Sequence, residues 1–344
     1  MTSEDGALTG TATWTDAAWR ATALTWAEFE LDRLGLAMRG EPEQPHVMPW
    51  STVLRLDVGG GPVWLKSIGS GSAQEPPLSS ALAGWVPGRV LAPLAMHAGR
   101  RLTLLPDGGP TLRDTGRAAV PESWEAMLAE YAQLQLDLAP YADEMVALGV
   151  PDARPERLPA LVAELLADDE ATLLDRPDGL TTAIRERIAA DLPTYAECCR
   201  RLAESGVPAS LQHDDLHDGN VFAGADGHRF FDWGDATVSH PFLSLLVSLR
   251  MAARALDVPP GDPVLRRLRD AYLEPWGSYG SRSELRELCG VALRVGPPAR
   301  ALTWHRILVG IHAAERAEWA DSVPGWMATY LEPGSLDESA VSSR

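Results

Sequence analysis

A segment rich in proline and glycine at residues 106–110 divides the sequence into two parts with different patterns. Before it, short strand-like segments predominate, whereas after it most apolar residues recur at helical spacing. The chain of 344 residues also exceeds the size that one hydrophobic core usually supports. We therefore predict an α+β, two-lobed fold, with a small antiparallel β-sheet lobe at residues 1–106 and a larger, mainly helical lobe at residues 107–335. The polar residues 336–344 are predicted to form a disordered tail.

The first part begins with apolar residues at helical spacing, which predict a leading helix at about residues 15–38. Residues 41–49 contain three prolines, so this stretch is predicted to be a linker. Strand-like segments at 52–58 and 62–66 flank the glycines at 59–61 and predict a hairpin. The other elements predicted here are a helix at 75–85 and strands near 89–94 and 101–105.

The second part is predicted to be helical except for a small hairpin. Short apolar runs at 221–222 and 230–231 are separated by a turn signal at residues 224–227, which predicts two short strands inside the helical lobe. The predicted helices span residues 122–138, 158–166, 181–204, 241–256, 262–273, 282–293 and 299–319.

Composition limits the partners that the protein can have. With 30 Lys and Arg against 48 Asp and Glu, the formal net charge is −18, which repels nucleic acid and anionic membranes and attracts cationic ligands. General acidity of the source proteome is an alternative explanation of that charge. No apolar run approaches the roughly 20 residues that span a bilayer, and the N-terminus has no signal-peptide pattern. Cys198, Cys199 and Cys289 have neither zinc-ligand nor disulfide-framework spacing. We expect a cytoplasmic protein, and the sequence does not indicate an oligomeric state.

Two neighbouring polar motifs have the residue types that phosphoryl transfer requires. Residues 213–220 read His-Asp-Asp-Leu-His-Asp-Gly-Asn, and residues 231–234 read Phe-Asp-Trp-Gly. Phosphoryl transfer needs a carboxylate near the acceptor hydroxyl and oxygen ligands for Mg²⁺, because the metal neutralises phosphate charge while the carboxylate orients the nucleophile. Asp215 can supply that carboxylate.

The spacing within these motifs matches the signature of protein kinases. His213, Asp215, Leu216 and Asn220 occupy the four fixed places of His-x-Asp-Leu-x-x-x-Asn, and Asp232-Trp-Gly stands where that signature has Asp-Phe-Gly. The alternative is a surface loop that is rich in Asp and His and matches by chance. The second motif, at the expected distance and after an apolar strand, favours the functional interpretation.

The two motifs together resemble the aminoglycoside phosphotransferase family of small-molecule kinases, whose pattern is His-Gly-Asp-Leu-His-x-x-Asn followed by Asp-Trp-Gly-Asp. The resemblance implies a protein-kinase-like fold with the nucleotide and Mg²⁺ bound between the lobes. It implies that Asp215 is the catalytic base and that Asn220 and Asp232 are Mg²⁺ ligands, with His217 supporting the loop or lying near the acceptor. Asp214 departs from the pattern, because the family usually has Gly there; its carboxylate either tunes local charge or points to solvent.

The N-terminal lobe offers a second set of candidates, which would bind ATP, although GTP is not excluded. Lys66 ends the strand Val-Trp-Leu-Lys, which parallels the Val-Ala-Ile-Lys strand of kinases, so Lys66 is predicted to contact the α- and β-phosphates. Glu75 is the predicted partner of Lys66, with Asp57 as the alternative.

Two further segments are predicted to contact the nucleotide. The loop at residues 48–52 is predicted to cover the phosphates through Ser51, since the glycines at 59–61 lie too close to Lys66 to be a kinase phosphate loop. Leu105 lies at the lobe junction, where related kinases hold adenine through the backbone. No P-loop motif occurs in the sequence.

The sequence therefore predicts an ATP- and Mg²⁺-dependent phosphotransferase that acts on a hydroxyl of a small molecule. The family's acceptors include aminoglycosides, other antibiotics, amino sugars, choline and homoserine, and no residue selects among them. A catalytically silent nucleotide-binding protein is the alternative from another class. A protein kinase is disfavoured, because His240-Pro follows the second motif directly and leaves no room for an activation segment with Ala-Pro-Glu.

Overall fold

The computed structural model describes residues 8–224 and 227–337, and these residues form two compact units. The first unit comprises residues 8–109, 231–234 and 305–319. The second comprises the described residues between 110 and 230, together with 235–304 and 320–337. No helix within the described ranges has the length and apolar character needed to cross a membrane.

The first unit is built on a five-stranded antiparallel sheet, which confirms the predicted sheet lobe and its 52–66 hairpin. The strand order is β1-β2-β3-β5-β4. The strands are β1 (Met38–Met48), β2 (Ser51–Val58), β3 (Gly61–Ile68), β4 (Ala95–His97) and β5 (Leu102–Pro106). The helices before residue 109 are α1 (Thr11–Thr15), α2 (Ala17–Arg33) and α3 (Glu75–Trp85), and α3 was predicted with these bounds.

One face of α2 packs on one face of this sheet. Ala23, Ala27 and Leu31, spaced four residues apart, form a buried cluster with strand residues that alternate along β2, β3 and β5. These strand residues are Leu54, Leu56, Val63, Leu65, Leu102 and Leu104. The helical and strand periodicities of the sequence therefore meet in one core.

The predicted leading helix at 15–38 was too long. The chain forms α1, breaks at Asp16, whose side chain accepts a hydrogen bond from the Trp19 backbone N–H at 2.8 Å, and then forms α2. The end of α2 is set by Gly35, which has a φ of +71°, while the Leu36 N–H donates to the Leu31 carbonyl at 2.9 Å. A glycine in this left-handed conformation is a common helix terminator.

The predicted linker at 41–49 is wrong, because most of it forms the edge strand β1. Pro42 and Pro45 lie at the two places where the register of β1 against β2 shifts, between Arg39 and Glu43 and between Glu43 and His46. Proline cannot donate to a strand ladder, so it is tolerated on an edge strand and at bulges.

The strand predicted near 89–94 is also wrong, since the strand that pairs with β5 is β4, at Ala95–His97. Pro87 and Pro93 lie on either side of the predicted segment. Pro93 has no N–H, and regular pairing begins only after it, with the Leu94 N–H donating to the Leu104 carbonyl at 2.8 Å.

The second unit is mainly helical, as predicted. Its first four helices are α4 (Pro121–Leu138), α5 (Ala142–Ala147), α6 (Leu158–Ala167) and α7 (Thr182–Ala203). They are followed by α8 (Leu245–Ala255), α9 (Pro263–Leu273) and α10 (Arg282–Val309), whose residues from 305 onward belong to the first unit. The short helix α11 (Ala313–Arg316) also belongs to the first unit, and α12 (Ser322–Thr329) belongs to the second. The sequence predicted α4, α6, α7, α8 and α9 and missed the short helices α5 and α12.

The two helices predicted at 282–293 and 299–319 are instead one helix, α10, which continues through Pro297 and Pro298. Val295, Ala299 and Ala301, which flank the prolines, are all buried. We infer that packing of the flanking turns outweighs the loss of two N–H donors, so the prolines do not end the helix.

Two short antiparallel strand pairs flank the sequence motifs, which lie in the segments between β6 and β7 and between β8 and β9. The strands β6 (Ser210–Gln212) and β9 (Thr237–Ser239) pair with each other, as do β7 (Val221–Gly224) and β8 (Gly227–Phe230). The β7–β8 hairpin was predicted, but Ala225 and Asp226 of its turn lie outside the described residues, as does most of the predicted tail, at 338–344. The β6–β9 pair was not predicted.

Candidate active site

Lys66 in the first unit lies between two carboxylates. Its Nζ atom is 2.5 Å from Glu75 Oε1 and 2.6 Å from Asp232 Oδ1. β3 presents Lys66 from the middle of the sheet, opposite Val53 and Thr103 in the neighbouring strands, and Glu75 is the first residue of α3. We call Lys66, Glu75 and Asp232 the lysine cluster. Glu75 is therefore the partner of Lys66, and the alternative, Asp57, pairs instead with Arg55 at 2.9 Å.

The lysine cluster is charged and unequally buried. Burial lowers the pKa of Lys66, but the Asp232 and Glu75 carboxylates raise it further, so the ammonium ion persists at neutral pH. Burial raises the pKa of Glu75, against the lowering effect of Lys66. Asp232 is the open member, since its side chain is 44% exposed against 6% for Glu75. Asp232 can therefore reach a ligand while the buried pair fixes its position.

The segment around Asp232 has a constrained backbone. Asp232 has a φ of +67°, and a Cβ atom added to Gly234 would lie 3.2 Å from Ser72 Oγ and 3.3 Å from Glu75 Oε2. The Gly234 carbonyl accepts hydrogen bonds from Gln74 Nε2 at 2.8 Å and from Arg306 Nη1 at 3.3 Å. A side chain at position 234 would therefore be tightly packed against Ser72 and Glu75 and would displace them by a few tenths of an ångström, so glycine suits the third position of the Asp-Trp-Gly motif.

Ser51 and Leu105 lie in the first unit at places that do not by themselves assign a role. Ser51 begins β2, is buried, and has its Oγ atom 3.4 Å from His46 Nε2. His46 was not predicted; burial lowers its pKa, and the Asp232 carboxylate partly offsets that effect. Leu105 lies in β5 opposite Trp64. The nucleotide contacts assigned to Ser51 and Leu105 stay predictions.

Asp215 lies in a loop of the second unit that is anchored at both sides. The loop follows β6, and the His213 backbone N–H donates to Tyr131 Oη at 2.9 Å. The Leu216 carbonyl accepts a hydrogen bond from Ser248 Oγ at 3.0 Å, and Leu216 is fully buried. Tyr131 of α4 and Ser248 of α8 thus anchor the loop at the two fixed motif residues, His213 and Leu216. The Asp215 side chain between them is 35% exposed.

His217 and Asn220 support Asp215 from within the same loop. The Gly219 N–H donates to His217 Nδ1 at 2.9 Å, so in the neutral tautomer Nε2 carries the proton and faces Asp215 Oδ2 at 3.4 Å. Asn220 Nδ2 donates to the Asp215 carbonyl at 3.0 Å. His217 therefore buttresses the loop, which was one of its two predicted roles.

Arg300 was missed by the sequence analysis and is the centre of the second unit's charged cluster. Its Nη1 atom is 2.6 Å from Asp235 Oδ2 and 3.5 Å from Asp214 Oδ2, and its Nη2 atom is 3.2 Å from Asp215 Oδ1. We call these four residues the arginine cluster. Burial lowers the pKa of Arg300, but the three carboxylates raise it further, so the guanidinium ion is retained.

The charge of this cluster also acts on Asp215. Burial raises the pKa of Asp215, but the hydrogen bond from His217 and the charge of Arg300 lower it more, so its pKa lies well below the usual range. Asp215 is therefore a carboxylate throughout the neutral range.

Asp214 does not point to solvent, which was one of the two predicted alternatives. It is buried, has a φ of +64°, and accepts a hydrogen bond from Gln212 Nε2 at 2.7 Å in addition to its ion pair with Arg300. The left-handed conformation explains why glycine suits this position, and Asp is one of the few other residues that tolerate it. We infer that the buried ion pair offsets the backbone strain.

Asn220 and Asp232 offer oxygen donors that suit Mg²⁺. The Nδ2 atom of Asn220 is engaged by the Asp215 carbonyl, which turns the amide oxygen to the other side, and Asp232 has an exposed carboxylate. Within residues 8–224 and 227–337, no group of three or more His, Cys, Asp or Glu forms a metal cage. Each of the two side chains, taken separately, has an oxygen of the kind that Mg²⁺ binds in proteins, where the ion completes its shell with phosphates and water.

Comparison with known proteins identifies the family. The model of the phosphotransferase enzyme family (APH) matches residues 74–288. The chain belongs to this family. It is therefore a kinase-type phosphotransferase that acts on a hydroxyl group of a small molecule, as the sequence predicted. No curated protein shows significant sequence similarity to the chain.

Solved structures confirm the fold of this family member. Macrolide 2'-phosphotransferase type I is similar with a TM-score of 0.51 at 15% identity, covering 90% of this chain and 98% of that one. A choline/ethanolamine kinase family protein from Mesorhizobium loti gives 0.56 at 12% identity, with 91% and 96% covered. APH(2'')-IIa in complex with gentamicin gives 0.51 at 12% identity, with 91% and 97% covered. The predicted protein-kinase-like fold is confirmed.

Proposed function

We propose that this phosphotransferase transfers the γ-phosphoryl group of ATP, bound as its Mg²⁺ complex, to a hydroxyl of a small molecule that carries an amino group. The observation that carries the proposal is the lysine cluster. A buried Lys66 is held between Glu75 and the exposed Asp232, and this is the arrangement in which an ammonium ion and a metal-binding carboxylate act on the same phosphate chain.

Each of the candidate site residues would then have a distinct role. Lys66 would bind the α- and β-phosphates, and Glu75 would keep its ammonium group extended from β3. Asp232 and Asn220 would supply oxygen ligands to Mg²⁺, which neutralises charge on the phosphates when bound. Asp215 would accept a hydrogen bond from the acceptor hydroxyl and aim its oxygen at the γ-phosphorus.

The low pKa of Asp215 favours orientation over early proton removal. A carboxylate with so low a pKa is a weak base, yet phosphoryl transfer through a loose transition state requires little nucleophile deprotonation before attack. Asp215 would therefore contribute mainly by fixing the hydroxyl, and it would take the proton late.

The proposed amino group of the acceptor rests on the charge of the chain. A formal net charge of −18 attracts cationic ligands and raises their encounter rate. A panel that measures ADP release with aminoglycosides, macrolides, nucleoside antibiotics, amino sugars, choline, ethanolamine and homoserine tests the acceptor class. If only neutral or acidic alcohols are phosphorylated, the amino-group proposal fails. If ATP binds but no compound gives ADP above the rate in water, the silent-binding alternative is favoured.

Binding of Mg·ATP should raise the melting temperature of the protein. At a hundredfold excess over Kd, a ligand that binds only the folded state stabilises it by about 2.7 kcal/mol. We expect thermal melting to shift upward with Mg·ATP and most of the shift to disappear with EDTA. A melting temperature that ignores millimolar Mg·ATP would contradict the nucleotide assignment.

The role of Lys66 in this shift can be separated from its role in the fold. Removing the ammonium alone would leave the buried Glu75 carboxylate without its counter-ion, which costs about 3–5 kcal/mol in typical buried pairs. The double variant Lys66→Met/Glu75→Gln removes both charges and should fold, yet lose most of the Mg·ATP shift. Arg55→Met, on the neighbouring strand β2, is the control and should keep the full shift.

A further inference from the structure

Arg300 is almost completely buried, which is rare for an arginine, and it forms ion pairs with three aspartates. Its side chain is 4% exposed, whereas Asp235 and Asp215 are 20% and 35% exposed. All three carboxylates come from the two motif regions, two of them from the loop that follows β6. The guanidinium ion also lies over the Trp304 ring at 5.6 Å, but its ion pairs link the distant helix α10 to the motif residues.

A fold requirement alone does not account for this arrangement. Burying a charge carries a desolvation penalty, and a hydrophobic replacement of a buried ion pair is often neutral or stabilising. With one cation against three carboxylates, the arginine cluster also keeps an excess of negative charge. Because of the desolvation penalty, such a cluster is unfavourable if its only role is packing. Its geometry therefore points to a role in holding Asp215.

The two oxygens of Asp215 are held differently. Oδ1 accepts from Arg300 Nη2 at 3.2 Å, and Arg300 is itself fixed by the shorter contact of Nη1 with Asp235. Within the described part of the chain, the contacts of Oδ2 are the longer ones of 3.4 Å with Asn220 Nδ2 and with His217 Nε2. A planar guanidinium that spans two carboxylates fixes the orientation of both, which a lysine ammonium cannot do.

We propose that Arg300 is a positioning residue for phosphoryl transfer: it holds Asp215 by Oδ1, with Asp235 as its anchor, so that Oδ2 faces the acceptor hydroxyl. This inference rests on the proposed function. It assigns to α10 a role in turnover that neither the sequence motifs nor the family match, which ends at residue 288, covers.

The test compares Arg300→Lys with the wild type and with Arg286→Lys. Arg286 also lies in α10, but its side chain binds Asp270 of α9 with two nitrogens. The measured quantities are kcat and KM for Mg·ATP, from ADP release with the best acceptor of the panel or with water, corrected for the folded fraction.

An error of about 1 Å in the position of a catalytic group can lower the reaction rate about 10²-fold, so we expect kcat to fall roughly 10- to 100-fold in Arg300→Lys. KM for Mg·ATP should stay within about twofold, because the ion pairs that the described residues form with Arg300 are with Asp214, Asp215 and Asp235, which are not proposed nucleotide ligands. Arg286→Lys should match the wild type.

A second variant keeps the test decisive if Arg300→Lys does not fold. Arg300→Gln/Asp235→Asn removes one positive and one negative charge together, so the formal charge of the cluster does not change, and the variant should show the same loss of kcat. A wild-type kcat per folded molecule in either variant would overturn the inference, because a merely structural arginine changes only the folded fraction. A wild type that neither responds to Mg·ATP in melting nor releases ADP would overturn the proposed function, and this inference with it. A responsive wild type with unimpaired variants overturns the inference alone.

Discussion

Replacing Asp215 with Asn is expected to reduce turnover by about 10²-fold or more while the protein stays folded and binds Mg·ATP. In the variant, the amide oxygen can still accept from Arg300 Nη2, which would direct the amide NH₂ group to the position of Oδ2. A donor there repels the hydroxyl proton that the carboxylate would accept, so the acceptor oxygen loses its orientation.

The fold should tolerate this change because Arg300 keeps two other carboxylates. Asp214 and Asp235 remain as its partners, at 3.5 Å and 2.6 Å, so no buried cation is left without a counter-ion. The measurement is kcat for ADP release beside the Mg·ATP melting shift of the same preparation. Asp218→Asn is the matched control in the same loop, since Asp218 pairs with Arg113 outside the arginine cluster. Turnover near the wild-type rate in well-folded Asp215→Asn would refute the role of Asp215.

Replacing Asp232 with Ala should abolish the Mg²⁺-dependent part of nucleotide binding. Mg²⁺ accepts few protein ligands and prefers anionic oxygens, so loss of the exposed carboxylate removes its main attachment to the protein. The apo fold should survive, because Lys66 keeps Glu75 as its partner at 2.5 Å and the remaining buried pair is neutral.

Calorimetry with ATP in the presence of Mg²⁺ and in the presence of EDTA measures this effect. In the wild type, Mg²⁺ is expected to strengthen ATP binding, whereas in Asp232→Ala the two titrations should give the same affinity. Asp57→Ala is the control in the same unit, since its side chain is exposed and pairs with Arg55 rather than with Lys66. An unchanged affinity for Mg·ATP in Asp232→Ala would show that the metal is held elsewhere.

The residues that the sequence identified are those that act through local spacing. Asp215, Asn220 and Asp232 lie in short motifs, and the contact of Asn220 Nδ2 with the Asp215 carbonyl spans five residues. Lys66 and Glu75 are nine residues apart and lie on an adjacent strand and helix. The helix was predicted with its observed bounds, whereas the strand, Gly61–Ile68, is longer than the predicted 62–66. In such cases the chain between two residues is short enough for the pattern to limit their geometry.

Arg300 could not be found in this way. It is 85 residues from Asp215, and an arginine in an amphipathic helix is most often a solvated surface residue. The Asp at position 235, which completes the Asp-Trp-Gly-Asp pattern, was the only sign that a cation was needed nearby. The sequence has 30 Lys and Arg residues, and tertiary packing decides which of them supplies this cation. Local sequence patterns do not show that packing.

The errors in the fold have a related cause. Prolines at 42, 45, 297 and 298 were interpreted as breaks, yet two lie in a strand and two in a helix. In β1 the missing donors fall at the register shifts of an edge strand, whereas in α10 they are lost from the helix interior and packing of the flanking turns offsets the loss. The sequence shows that a donor is missing but does not show whether packing compensates for it.

The prolines of β1 bear on how the protein behaves at high concentration. β1 is an outer strand of its sheet, and its free edge could serve as a template on which a strand of another molecule adds. Pro42 and Pro45 remove two amide donors from β1 and coincide with its register shifts, which makes its edge irregular. The other outer strand, β4, is only three residues long. Both edges therefore resist strand addition, so Pro42→Thr/Pro45→Thr should promote aggregation without touching either charged cluster.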